Sequence, residues 1–331
     1  MTTATARAFP NIALVKYWGK RDERLILPDA GSLSLTLDQL ATTTTVTLKD
    51  EPGDDLFALD DRPASPAAAA RTSEFLDIVR QWAGDDRAAV VRSHNEAPTG
   101  AGLASSAAGF AALAMAAAAA YGLEMDSREL SRLARRGSGS ACRSVVPGLA
   151  VWHAGDDQAS FAEPIPGPDL RLVTAILSDR PKAMSSREAM RLSHETSPFY
   201  PAWVRSTELT LAQMQAACRV GDIERIGQLT ESHALRMHAV IASSMPPVRY
   251  LAPGSLQVFD AAQQLRHDGV VAWATADAGP NVCLLTTPSD APRVAAAVAG
   301  LGVADPDRVH VMGPGPGAAL VSPEPTEEMA R

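Results

Sequence analysis

The chain has 331 residues, 46% of them hydrophobic and 21% charged, with a formal net charge of -8 and a pI near 5.4. This supplies apolar material for a large core, and the length favours two fused lobes over one compact domain. The acidic balance and the lack of any Lys/Arg-rich stripe interleaved with aromatics argue against a nucleic-acid partner, so anionic small molecules are held only where a few cations and backbone N–H groups converge.

In chain order, β-type runs come first: TATARA, SLSLTL at Ser32 to Leu37, and TTTTVTL at Thr42 to Leu48. A helix is predicted over Ala67 to Trp82, and Ala88 to Ala97 reads as a strand feeding a glycine-bearing loop. A short helix near Ser127 to Arg136 precedes GSGSACRS and a strand in GLAVWHAG. The Pro/Gly-rich EPIPGPD at Glu163 to Asp169 marks the lobe boundary and divides the chain into residues 1–168 and 169–331. Beyond it lie the strand RLVTAILS, three helical patterns between Ser185 and His267, and strands at Val270 to Thr275 and Val282 to Thr286. A last helix and a strand pair around RVHVMGPGPGAALV close the order, and the tail PEPTEEMAR reads as frayed.

Three cysteines without C-x-x-C spacing, Cys142, Cys218 and Cys283, suggest neither a disulfide framework nor a zinc cluster and fit a reducing cytoplasm. The N-terminus lacks the charged and apolar regions of a secretory signal. The uncharged stretch from Ala97 to Leu123 is too weakly apolar for a membrane span. The histidines offer no metal spacing, since His233 and His238 stand five apart and no HExxH occurs; they read as structural or surface residues.

Strand, glycine loop, helix is the order that a phosphate site needs. In PTGAGLASSAAG, from Pro98 to Gly109, backbone N–H groups and the Ser105 and Ser106 hydroxyls can close around phosphate oxygens at a helix N-terminus. The loop is not a P-loop, because no Lys follows, and a tight turn before a close-packed helix explains it equally well. GSGSACRS sets hydroxyls beside Arg143, which can pair bidentately with a carboxylate or phosphate or can lie on the surface behind a helix cap. Cys142 reads as a small buried thiol rather than a nucleophile, because no base accompanies it. NIALVKYWGKRD places Lys16 and Lys20 four apart around Tyr17 and Trp18, which suits either an anion site or a helical turn with solvated lysines. Asp277 in TADAGPN ends a strand, a place for a catalytic carboxylate or, taken alone, more often for a turn cap.

Together, NIALVKYWGKRD, PTGAGLASSAAG, RRGSGSACRS, SSREAM, MPPVRYL and TADAGPN closely resemble the mevalonate diphosphate decarboxylases of the GHMP small-molecule kinase superfamily. They occur in the family's order from about Asn11 to Asn281, and GPGPG at Gly313 to Gly317 suits the superfamily's C-terminal motif. The resemblance implies an α+β, two-lobed GHMP kinase fold. Its N-terminal lobe is ribosomal protein S5 domain 2-like, its C-terminal lobe is ferredoxin-like, and the active site lies in the cleft between them. It implies an ATP-dependent decarboxylation in which the tertiary 3-hydroxyl of mevalonate 5-diphosphate is phosphorylated and phosphate and CO2 then leave.

By match to the family, Asp277 orients or deprotonates the hydroxyl, Lys16 steadies that carboxylate and the γ-phosphate, and Arg143 grips the departing carboxylate. The substrate lies against Tyr17, Trp18, Gly19, Lys20, Arg71, Ser138, Gly139, Ser140, Arg187 and Met190. ATP lies along Pro98, Gly100, Gly102, Leu103, Ala104, Ser105, Ser106 and Ala107. Mg2+ is implied by the need to neutralise the phosphates, with its protein ligands unidentified, and a homodimer is implied by the family. Phe9 stands where a His is common, Gly100 where Ala is frequent, and Arg187 where some members carry a smaller polar residue. The other readings are a phosphomevalonate decarboxylase or a 3-kinase on the same fold, or a silent binding protein that retains it.

Overall fold

Alternation of threonines with apolar residues builds the first sheet. Along Thr42–Leu48, buried and half-buried positions alternate, the period-two signature of a strand with one face on a core. This strand is the third of six in the order Ala319–Val321, Thr3–Ala8, Thr42–Leu48, Ala89–Asn95, Leu56–Leu59, Arg62–Pro63. A second sheet joins Ala162–Pro164, Leu149–Trp152, Ser32–Thr36 and Asn11–Val15 in that order. The third, wholly antiparallel, runs Trp273–Thr275, Val282–Thr286, Arg171–Ala175, Val309–Met312. The computed structural model describes residues 2–96, 105–180 and 182–322, so the tail beyond Ser322 lies outside the described residues.

The helix Ser105–Ala120 packs on the strands Thr3–Ala8 and Thr42–Leu48. Nine of its alanines, from Ala107 to Ala120, are buried, and their small side chains let helix and sheet approach closely. Its flank is covered by Pro66–Ala83, capped by Ser65 and stopped by left-handed Gly84, and by Ser127–Gly137, which opens on an Asp126/Glu129 capping box. No described helix is long and apolar enough to cross a membrane.

The third sheet is covered on both faces. Leu172, Cys283 and Leu285 pack with Leu33, Leu35 and the helices Tyr200–Val220 and Ile223–Ala242. Val173, Val282 and Leu284 turn the other way, toward Pro253–His267 and Ala291–Gly300. Four helices, not three, therefore lie between Ser185 and His267, the first being Ser186–Thr196. Gly221, in the left-handed conformation at φ 70°, and the Asp222 N-cap separate Tyr200–Val220 from Ile223–Ala242.

The two strands around GPGPG do not pair with each other. Val309–Met312 adds to the third sheet, whereas Ala319–Val321 returns to pair with Thr3–Ala8 in the first. The glycine run makes the crossing: Gly315 N–H donates to the Thr36 carbonyl at 2.8 Å, and Gly148 N–H donates to the Gly315 carbonyl at 3.0 Å. A Cβ on Gly315 would stand 1.7 Å from the Leu37 carbonyl oxygen, so only glycine permits this backbone contact.

Helix Ile223–Ala242 buries His233 and His238. His233 Nδ1 accepts the Lys16 backbone N–H at 3.0 Å, and its Nε2 lies 3.1 Å from Thr207 Oγ1. Because the Thr207 hydroxyl donates to the Trp203 carbonyl, Nε2 carries the ring proton. His238 Nε2 donates to the Ala276 carbonyl at 3.3 Å. Burial disfavours the charged form of both rings, aided by Arg236 and Lys16 at His233 and by Lys16 at His238; His233 falls well below the ordinary range and His238 to about 4. The folded state therefore binds fewer protons than the unfolded chain, and stability is full above the ordinary 6.5 and lost as pH falls from there toward 4. His238 alone accounts for a loss of about 2 kcal/mol by pH 5. In denaturant titrations, His238→Gln, whose amide can reach the same carbonyl, should lose less stability than the parent between pH 7 and pH 5; an unchanged pH slope would contradict this.

Candidate active site

The strand Asn11–Val15 delivers Lys16 to the interior, where it is 1% exposed. This rules out the helical turn with solvated lysines. Lys16 Nζ donates to Asp277 Oδ1 at 2.6 Å, and Asp277, side chain 31% exposed, faces a cleft of about 490 Å3. The turn that carries Asp277 is fixed by Asn281, whose Oδ1 accepts from Leu177 and Ser178 N–H at 2.8 and 3.0 Å. The Gly279 N–H meets the Asp277 backbone carbonyl at 2.7 Å. The carboxylate is thereby committed to Lys16 and the cleft rather than to capping the turn.

Arg143 is also buried, contrary to the surface alternative. Its Nε donates to Ser34 Oγ at 2.9 Å and Asn11 Oδ1 at 3.1 Å, and Nη1 donates to Ser32 Oγ at 2.5 Å. Asn11 in turn donates to the Ser140 carbonyl at 3.0 Å and Ser144 Oγ at 2.8 Å, which ties the GSGSACRS loop to the second sheet. Burial pulls the Arg143 pKa down, opposed by Cys142 and Asp277, yet a guanidinium keeps its charge in this range. Nη2 has no protein acceptor among the described residues, leaving one edge of the fork for a ligand. The Cys142 thiol is buried, and burial pushes it up to about 12, which removes it as a nucleophile.

The other end of the cleft gathers cations. Arg71, on helix Pro66–Ala83, donates to the Gly137 carbonyl at 2.6 Å and stacks 4.4 Å from the Phe110 ring centroid. Burial, then neighbouring Arg187, lowers its pKa to about 10, and its Nε is buried without a partner. Lys20 pairs with Glu23; burial lowers its pKa, opposed by Glu23 and reinforced by Arg187 and Arg71. Tyr17 packs edge-on to Trp152 at 4.7 Å, and its hydroxyl is buried without a partner. Burial, then Glu23, drives the phenol far above its ordinary range, so it remains a hydrogen-bond donor.

The cleft thus brings together Lys16, Tyr17, Trp18, Lys20, Arg71, Ser106, Ser138, Gly139, Ser140, Arg143, Arg187, Met190 and Asp277. Gly19, between the lining residues Trp18 and Lys20, is buried, and a Cβ there would stand 1.6 Å from the Tyr200 hydroxyl. Ala107 is buried in its helix, and Ser105 opens that helix. Pro98, Gly100, Gly102, Leu103 and Ala104 lie outside the described residues, as does the Ser105 side chain.

Sequence reasoning missed Lys182, Asn11, Ser185 and Ser186 in the lining. Burial lowers the Lys182 pKa, opposed by Asp277, and Lys182 Nζ donates to Ser186 Oγ at 3.4 Å. Its place three residues before the SSREAM motif was the available signal. Among the described lining residues, six cations (Lys16, Lys20, Arg71, Arg143, Lys182, Arg187) face one carboxylate, Asp277. An acidic chain thereby concentrates positive potential where a multiply charged anion can sit.

Two family profiles match: "Diphosphomevalonate decarboxylase-like N-terminal domain" over residues 8–162 and "Mevalonate 5-diphosphate decarboxylase C-terminal domain" over residues 172–311. The chain is 37% identical to the diphosphomevalonate decarboxylase of Bos taurus over 325 residues, 90% of this chain and 80% of that protein. Its structure superposes on the mevalonate diphosphate decarboxylase of Staphylococcus aureus with a TM-score of 0.92 at 37% identity, covering 97% of this chain and 98% of that one. A structure of MDDEF in complex with MVAPP, AMPPCP and magnesium also gives a TM-score of 0.92, at 41% identity, covering 97% and 99%. With both halves matched in order and the motif residues gathered into one cleft, the chain belongs to the diphosphomevalonate decarboxylase family.

Proposed function

We propose that the enzyme converts (R)-5-diphosphomevalonate and ATP to isopentenyl diphosphate, ADP, phosphate and CO2. The observation that carries this reading is the Lys16–Asp277 pair at 2.6 Å, set in the same cleft as the buried Arg143 fork and the cation cluster. A tertiary alcohol is a crowded nucleophile with a high pKa, so a fixed carboxylate must orient it and accept its proton. Asp277 does this, and Lys16 steadies Asp277 and the incoming γ-phosphoryl group. Arg143 holds the substrate carboxylate. When the C3–O bond breaks and phosphate departs, the C1–C2 electron pair forms the new double bond and CO2 is released.

Tyr17, Lys20, Arg71, Ser138 and Arg187 take the diphosphate tail, beside Trp18, Gly139, Ser140 and Met190. The exposed Ser106 stands at the ATP phosphates, at the N-terminus of helix Ser105–Ala120, and the family resemblance adds Ser105. The MDDEF relative binds MVAPP, AMPPCP and magnesium. Here no three His, Cys, Asp or Glu side chains converge among the described residues. Magnesium would then be held chiefly through the substrate phosphates and would supply charge neutralisation there. The nucleotide lobe is assigned to residues 1–168, joined by the returning strand Ala319–Val321, and Asp277 to the lobe that begins at residue 169. A cytoplasmic homodimer completes the reading; three unpaired, buried cysteines agree with a reducing compartment.

Asp277→Asn should lower turnover about 10²- to 10⁴-fold while ATP still binds; unchanged turnover in a kinetic assay would remove Asp277 from its role. Arg143→Ala should lose decarboxylation and bind substrate more weakly, read by comparing kcat with the substrate Kd. Incubated with ATP and, in parallel, 5-phosphomevalonate and 5-diphosphomevalonate, the enzyme should release CO2 and isopentenyl diphosphate from the diphosphate. Failure to do so ends this reading.

A further inference from the structure

Lys16 comes from the second sheet and Asp277 from the end of the third, yet both reach the same helix, Ile223–Ala242. His233 Nδ1 accepts the Lys16 backbone N–H at 3.0 Å, and one and a half turns later His238 Nε2 donates to the carbonyl of Ala276, next to Asp277, at 3.3 Å. His233 is itself locked. Its Nε2–H meets Thr207 Oγ1 at 3.1 Å, the Thr207 hydroxyl ends on the Trp203 carbonyl at 2.9 Å, and the Trp203 ring lies 4.5 Å from the imidazole. Trp203 also reaches the substrate loop, since its Nε1 donates to the Trp18 carbonyl at 2.9 Å. The backbones of Lys16 and Trp18 are thus held by helices of the opposite lobe.

We propose that His233 is a positioning residue for the phosphoryl-transfer step, setting the backbone of Lys16 so that its ammonium meets Asp277, with His238 setting the other partner from the same helix. The proposal rests on the reading of the Lys16–Asp277 pair as the reacting centre. Lys16 lies one residue past the strand, whose last pairing is Val15 with Leu33, so the imidazole takes over where the sheet stops. Misplacement by about 1 Å of a group in a reacting centre costs on the order of 100-fold in rate. Of the cleft residues read as taking the substrate tail, Lys20, Arg71 and Arg187 are cations apart from residue 16, and Tyr17 adjoins it in the chain. With those cations in place to bind the tail, loosening Lys16 falls on kcat far more than on KM.

The test crosses two variants. In His233→Asn the amide oxygen can take the place of Nδ1, keeping the Lys16 contact and losing Thr207. In His233→Gln the amide reaches the Nε2 position, keeping Thr207 and losing Lys16. Both are folded-state controls for each other, checked by thermal unfolding and nucleotide binding. The expected result is kcat within about threefold of the parent for His233→Asn and about 100-fold lower for His233→Gln, with KM for both substrates moving far less. Equal kcat in the two variants, or a loss carried by KM, overturns the proposal. Asp277→Asn is run alongside. If it stays active, the reading of the reacting centre has failed; if it is inactive while the two His233 variants match, only the positioning role has failed.

Discussion

A lysine 1% exposed and a carboxylate at the rim of a cleft, 2.6 Å apart, form the contact on which the arrangement turns. A buried ammonium left without its partner costs about 3–5 kcal/mol. The fold therefore has to keep residue 16 and residue 277 together although they lie on different sheets. The two sheets share one apolar layer, in which Leu33 and Leu35 meet Leu172, Leu285 and helix Ile223–Ala242. Packing of this shared layer is what holds the two members of the ion pair within reach of each other.

The rest of the cleft follows from charge balance. A chain with a net charge of -8 carries at this one place six cations against one acid among the described lining residues. Several of them, Arg71, Arg143, Lys20 and Lys182, have their pKa values lowered by burial. Their desolvation is a cost that a multiply charged anionic substrate offsets on binding. The Tyr17 hydroxyl and Arg71 Nε, buried without protein partners in residues that line this cleft, are donors that such a substrate can engage. The two-lobed α+β chain conforms to the GHMP kinase architecture.

Much of this was legible in the sequence because the site residues sit in short motifs, and the motifs come in one family's order. Element types with strong local signals were also readable: the alternating threonines of Thr42–Leu48, and the helix Ser127–Gly137 with its capping box. The misses have physical causes. NIALVKYWGKRD is compatible with a helical turn by local pattern, and only the long-range pairing of Ile12 with Leu35 makes it a strand. Burial of Lys16 and Arg143 depends on partners more than 100 residues away in sequence, at His233, Asp277 and Ser32. Gly221 and Asp222 separate two of the four helices for which three patterns stood. Lys182 carried no motif of its own, and the destination of the GPGPG crossing is a tertiary fact with no local trace.

The most direct test of the central claim is a structure of the enzyme with 5-diphosphomevalonate and a non-hydrolysable ATP analogue bound together. The account predicts the substrate 3-hydroxyl within hydrogen-bond reach of the Asp277 carboxylate, the substrate carboxylate on the free edge of Arg143, and the terminal phosphate of the analogue directed at that hydroxyl beside Lys16. A substrate bound in the reverse sense, with its carboxylate among Lys20, Arg71 and Arg187, would contradict it.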